Sequence, residues 1–201
     1  MITLDCKQGE AEWKSARVGI PTSSNFDKIV TMKGEPSKQS IKYLYTLAGE
    51  RFIGKKEESF QSLAMQKGIE TESEARMFYE ITSGIDVVQV GICYKDKRKL
   101  FASSPDGLVG DNGLLEIKAP LLSTHVSYLI DGGLVEDYHQ QLQGQLFVTG
   151  RKWVDIISYY PSMKPLIIRV TPDEKFQKAL AVELLKFCNE LETITERIKS
   201  L

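Results

Sequence analysis

A mixed-sheet α/β or α+β fold is predicted by three features of this 201-residue chain. Apolar residues recur at helical spacing up to about residue 84, the period then falls to two between about 85 and 118, and helical and strand-like stretches alternate to the end. No internal repeat or low-complexity linker interrupts them, and 42% apolar residues suffice for a core, so a single domain over 1–201 is expected.

Taken in order, 37–52 places Ile41, Leu44, Tyr45 and Ala48 on one helical face, with Gly54 as a stop. A second helix is predicted over 70–82, with Ala75, Phe78 and Tyr79 inward and Gly84 at its end. Strands are predicted at 85–94, 100–103, 107–109 and 114–118, joined by the KDKR and DNG turns. Helical pattern returns over 123–130 and 136–149, stopped by Gly150; 153–160 and 166–171 are β-rich. Thr171-Pro172-Asp173-Glu174 resembles a capping box with Pro at the first helical position. It opens a long amphipathic helix whose stripe is Phe176, Leu180, Leu184, Phe187, Leu191, Ile194, Ile198 and Leu201, packed on its own domain or on a second subunit.

Twenty-six Lys and Arg against 27 Asp and Glu leave no global field to draw the chain to a polyanion, so nucleic acid requires a local patch. The dense run Lys95-Asp96-Lys97-Arg98-Lys99 is either a solvated turn or such a patch. Cys6, Cys93 and Cys188 are three in number and far apart, which excludes a disulfide framework and points to reduced thiols in a cytoplasmic protein. With only His125 and His139 besides, a catalytic metal would be a hard cation on carboxylate oxygens. Neither a signal peptide nor an apolar run near the ~20 residues that span a bilayer is present, so no membrane partner is expected.

The stretch SSPDGLVGDNGLLEIKAP, residues 103–120, carries the chemistry. A three-residue loop Asp111-Asn112-Gly113, with Gly in the left-handed position, sets Gly110 against Leu114, Leu108 against Glu116 and Asp106 against Lys118. Asp106, Glu116 and Lys118 then share a face, whereas a two-residue turn would send Asp106 to the other side. The plain alternative is a half-exposed strand whose opposite charges pair. Two clustered anions repel unless a cation or proton joins them. An acid pair beside an amine therefore suits metal-assisted hydrolysis at phosphorus, with Lys118 orienting or deprotonating the attacking water.

PD, nine residues, then E-x-K is the signature of the PD-(D/E)xK nucleases. The further segments EWKSARVGIPTSSNF (12–26), GIETESEAR (68–76), EITSG (80–84), SSPDGL, LEIKAP and QQLQGQLFVTG (140–150) together resemble the phage lambda exonuclease, or YqaJ viral recombinase, family. The resemblance implies a restriction-endonuclease-like core with a mixed central sheet flanked by helices. It implies a processive 5′→3′ exonuclease on double-stranded DNA that releases 5′-mononucleotides and leaves a 3′ overhang for a single-strand annealing protein of phage or prophage recombination. A toroidal homotrimer is implied too, as is Mg²⁺, with Mn²⁺ able to replace it and two ions per site. Carried over by motif, Asp106, Glu116 and the Ile117 carbonyl would be metal ligands, Lys118 the water-activating lysine, Glu72 the supporting helical acid and Gln143 a polar residue near the scissile phosphate. Arg17, Ser24 and Ser104 would surround the 5′ phosphate, with Trp13 shaping that pocket.

Plainer roles exist for each. Glu72 is equally a solvated helical acid, Gln141 and Gln143 surface amides, Ser23-Ser24-Asn25 a helix cap, and Trp13 a core aromatic; His139 is read as structural. An endonuclease on the same core and a non-catalytic DNA-binding scaffold are the functional alternatives.

Overall fold

The computed structural model describes residues 1–56 and 63–201, with the backbone alone for 63–70. A five-stranded sheet lies at its centre: β2 (Val87–Val88), β5 (Gly107–Val109), β6 (Gly113–Lys118), β7 (Trp153–Ser158) and β8 (Leu166–Val170), in that spatial order. Only β6 and β7 run parallel. Parallel neighbours need a crossover, and α4 (Leu122–Ile130), α5 (Leu134–Asp137) and α6 (His139–Thr149) supply it. A second sheet joins β1 (Ile2–Leu4), β3 (Ile92–Tyr94) and β4 (Ala102–Ser103). The remaining helices are α1 (Ala11–Ser15), α2 (Ser40–Ile53), α3 (Leu63–Ser83) and α7 (Glu174–Lys199), with a short 3₁₀ segment at Ser23–Lys28. Among the described residues no helix is long and apolar enough to cross a membrane.

Both faces of the central sheet are covered. Leu114, Val154 and Ile156 pack with Leu142 and Leu146 of α6, while Leu115, Ile117 and Ile157 pack with Ala75 and Tyr79 of α3. The alternation in LLEIK therefore does not mark a half-exposed strand: Glu116 is 3% exposed. A third cluster joins α2 to α7 through Tyr43, Leu44, Leu47, Leu180, Leu184 and Phe187.

Several expectations shift. The predicted strand 85–94 is two strands in different sheets, and 136–149 is two helices, α5 and α6. The buried face of α2 is Tyr43, Leu44, Leu47 and Ala48; Ile41 and Tyr45 are 58% and 57% exposed. The cap of α7 is Asp173, whose Oδ1 accepts from the Phe176 amide at 3.0 Å, so Thr171 and Pro172 precede the helix. No side chain caps the 3₁₀ segment, which removes the helix-cap role for Ser23-Ser24-Asn25.

The β5–β6 hairpin is also re-registered. Gly107 faces Leu115, Leu108 faces Leu114 and Val109 faces Gly113, so the loop is Gly110-Asp111-Asn112 and the left-handed residue is Gly110, φ 50°. Gly113 is needed in the strand for a different reason: a Cβ there would lie 2.1 Å from the Trp153 ring. The partner of each strand residue moves by two, and because side chains alternate with period two, Asp106, Glu116 and Lys118 keep a common face.

Candidate active site

One step outward from the Gly107–Leu115 pair, the Asp106 amide donates to the Leu115 carbonyl at 3.1 Å and its carboxylate Oδ2 accepts from the Ile117 amide at 2.6 Å. Asp106 is thereby tied to the strand that carries Glu116. Burial pushes the Asp106 carboxyl well above its usual range, and the charges of Glu116 and Glu72 push it further. Lys118 Nζ donates to Glu116 Oε1 at 2.7 Å and to Gln141 Oε1 at 3.1 Å, and lies 4.2 Å from the centre of the Tyr138 ring. Burial pulls the Lys118 ammonium down, but Glu116 and then Asp106 more than offset it, so it is raised and the amine stays charged.

Glu72 approaches from α3, its Oε1 accepting from Arg76 Nη2 at 2.7 Å. Burial raises the Glu72 carboxyl against the attraction of Arg76. The first part of its motif, 68–70, lies outside the residues whose side chains are described.

Helix α6 contributes two amides that sequence reasoning did not place here. Gln141 Nε2 donates to Glu116 Oε1 and Gln145 Nε2 to Glu116 Oε2, each at 2.5 Å. Gln143 is corrected: its Nε2 donates to the Thr171 carbonyl at 2.9 Å and its Oε1 accepts from the Asp173 amide at 2.8 Å. Two residues advance a helix by about 200°, so Gln143 faces the start of α7 when Gln141 and Gln145 face β6. The i, i+4 pair in QQLQGQ was the available signal.

The donors fit a hard divalent cation. Asp106, Glu116 and the Ile117 carbonyl offer oxygen only, and three carboxylates (Asp106, Glu116, Glu72) meet two cations (Lys118, Arg76). Among the described residues no three His, Cys, Asp or Glu side chains form a ready-made metal cage.

A second group assembles around Arg17, which is 8% exposed. Its Nη1 donates to Ser104 Oγ at 3.0 Å, and its Nη2 to Thr22 Oγ1 at 3.3 Å and Ser24 Oγ at 3.5 Å. Trp13 lies under the guanidinium, 4.1 Å from ring centre to Cζ, and its Nε1 donates to Ser104 Oγ at 3.1 Å and to the Gly91 carbonyl at 3.2 Å. Trp13 also packs on the small cluster of Ile92, Tyr94 and Ala102, the core role expected of it. All four residues expected here, Trp13, Arg17, Ser24 and Ser104, come together, and Thr22 joins them. The Arg17 Nε is buried without a partner among the described residues. Burial lowers the Arg17 guanidinium, and burial together with Arg17 lowers the nearby Lys56 ammonium. The buried Glu50 carboxylate offsets both cations in part.

The model of the YqaJ-like viral recombinase domain matches residues 12–152. The chain belongs to this family. An alkaline exonuclease (LHK-Exo) from Laribacter hongkongensis is 33% identical over 95% of this chain and 97% of its own, with a TM-score of 0.86. The structure of that protein in complex with dAMP matches equally. A phage-related exonuclease from Haemophilus somnus 129PT shares the fold, with a TM-score of 0.65 at 12% identity over 90% of this chain and 96% of its own. No curated protein sequence matches. The YqaJ-like chain has a PD-(D/E)xK-type fold, and its family and neighbour support a nuclease acting in recombination.

Proposed function

We propose that this YqaJ-family protein is a Mg²⁺-dependent 5′→3′ exonuclease on double-stranded DNA that releases 5′-mononucleotides and leaves a 3′ overhang for a single-strand annealing protein. The observation that carries the reading is the proximity of two pockets along one segment. Ser104, in the Arg17 cluster, and Asp106, in the acidic cluster, are two residues apart, at most about 7 Å along the chain. A 5′ phosphate held by the Arg17 fork with Thr22, Ser24 and Ser104 would then lie on the order of one nucleotide from the acidic cluster, as release of mononucleotides requires.

Asp106, Glu116 and the Ile117 carbonyl would hold the cation, with Glu72 supporting it. When bound, Mg²⁺ polarises the phosphoryl oxygens and acidifies a bound water. Lys118, held charged by Glu116 and Asp106, orients the attacking water and offsets charge developing on the phosphorane oxygens. Gln141 keeps the ammonium in place by accepting from it.

A head-to-tail ring of three subunits, which would make degradation processive, needs two different sticky faces on each chain. Two exposed apolar rows support this: Leu122, Val126 and Ile130 on α4, and Met77 and Ile81 on α3 continued by Ile85 and Val88. The test of the activity uses linear duplex with 5′-phosphate or 5′-hydroxyl ends and a covalently closed plasmid, all with Mg²⁺. Mononucleotides are expected from the phosphorylated linear DNA first, and the closed circle should survive. Cutting of the circle would replace the exonuclease with an endonuclease.

A further inference from the structure

Helix α6 presents two amides to Glu116 one turn apart, and they are not equivalent. Gln141 is fully used: its nitrogen donates to Glu116 Oε1 and its oxygen accepts from Lys118. Gln145 is 0% exposed, lies between the buried Leu142 and Leu146 in the sequence of the helix, and uses only its nitrogen. Its Oε1 is buried with no donor among the described residues. An unpaired buried carbonyl lowers stability, yet an apolar side chain at 145 would leave Glu116 Oε2 without the donor that Gln145 supplies.

The gain is on Glu116. A carboxylate has about four acceptor positions. On Oε1 two are filled, by Lys118 and Gln141; on Oε2 one is filled, by Gln145. Among the described residues, the acceptor position left open is on Oε2, the oxygen whose orientation Gln145 fixes. We infer that Gln145 is a positioning residue that fixes Glu116 with one acceptor position on Oε2 left for a divalent cation. This rests on the metal-dependent nuclease reading, and it assigns a task to a residue outside the P-D…E-x-K motif. Partners of this kind are typically worth a factor of ten to a hundred in metal affinity.

The experiment measures two quantities on metal-free protein: melting temperature, and Mn²⁺ and Mg²⁺ affinity by titration calorimetry. Gln145→Met and Gln145→Leu, which leave Glu116 Oε2 without that donor, should bind Mn²⁺ about 10- to 100-fold more weakly, measured well below their melting temperatures. Gln143→Met, two residues along the same helix, is the contrast. Its amide bonds the Thr171 carbonyl and the Asp173 amide, so it should melt lower with Mn²⁺ affinity unchanged. The positioning role is overturned if neither Gln145 variant folds, if they bind Mn²⁺ as wild type does, or if Gln143→Met loses as much Mn²⁺ affinity as they do. Wild-type protein that takes up neither ion would overturn the nuclease reading itself, and the inference with it.

Discussion

Replacing Arg17 by Met separates phosphate recognition from folding, and both effects can be worked from the structure. The folded protein loses three hydrogen bonds and the stacking on Trp13. None of the hydroxyls involved is orphaned: Ser104 keeps Trp13 Nε1, while Thr22 and Ser24 keep each other and Asn25. The substitution also removes a buried guanidinium with an unsatisfied Nε, whose desolvation opposes the lost bonds. Stability should therefore change by no more than about 1 kcal/mol, a melting shift within roughly 4 °C for a chain of this size. A phosphate gripped by a guanidinium fork gains about 1.5–3 kcal/mol from each charge-assisted bond, so losing one or two equivalents costs on the order of 10- to 100-fold or more. The assay is kcat/KM on linear duplexes that differ only in a 5′-phosphate or 5′-hydroxyl end. Arg17→Met should erase the preference for the phosphate while degrading hydroxyl ends at close to the wild-type rate. A preference that survives in a folded variant would refute the assignment of the Arg17 pocket.

Three further expectations follow from the same geometry. Lys118→Ala should lower single-turnover hydrolysis on the order of 10²- to 10⁴-fold while the far-UV spectrum stays unchanged, because the ammonium is the charge nearest Glu116. Gly113→Ala forces a Cβ against the Trp153 ring, and overpacking of this kind costs about 1–3 kcal/mol, to be read as a melting temperature lowered by roughly 2–12 °C. Burial lowers the His139 imidazolium against the attraction of Asp173 and Glu136, so the unfolded chain binds its proton more readily. The neutral ring, edge-on to Phe176 at 4.6 Å, thus contributes stability that is present above about pH 6.5 and is lost as pH falls through the depressed value. Urea unfolding of His139→Gln between pH 8 and 5.5 should show a shallower acid loss than wild type; equal slopes would remove His139 as a source of that limb.

The residues of the acidic cluster were legible because their readout depends on parity. The loop of the β5–β6 hairpin starts one residue earlier than its Asp-Asn-Gly sequence suggests, and every cross-strand partner changes by two. An even shift in a period-two element leaves each side chain on its face, so Asp106, Glu116 and Lys118 still converge. Helices give no such protection. In α2 the sets Ile41, Tyr45 and Tyr43, Leu44, Leu47, Ala48 are both helically spaced, and only packing against α7 decides that the second is inside. In α6, glutamines at 141, 143 and 145 differ by steps of two, and a two-residue error in a period of 3.6 moves a side chain to the opposite face. That is how Gln143 could carry a motif assignment while its amide holds the start of α7, and how Gln145, with no motif to mark it, came to lie on Glu116. Spacing is written in the local sequence, whereas the phase of a helix is set by what it packs against. The neighbours of β6 lie some thirty residues along the chain, which is why the amides that orient Glu116 became visible only once α6 was docked on the sheet.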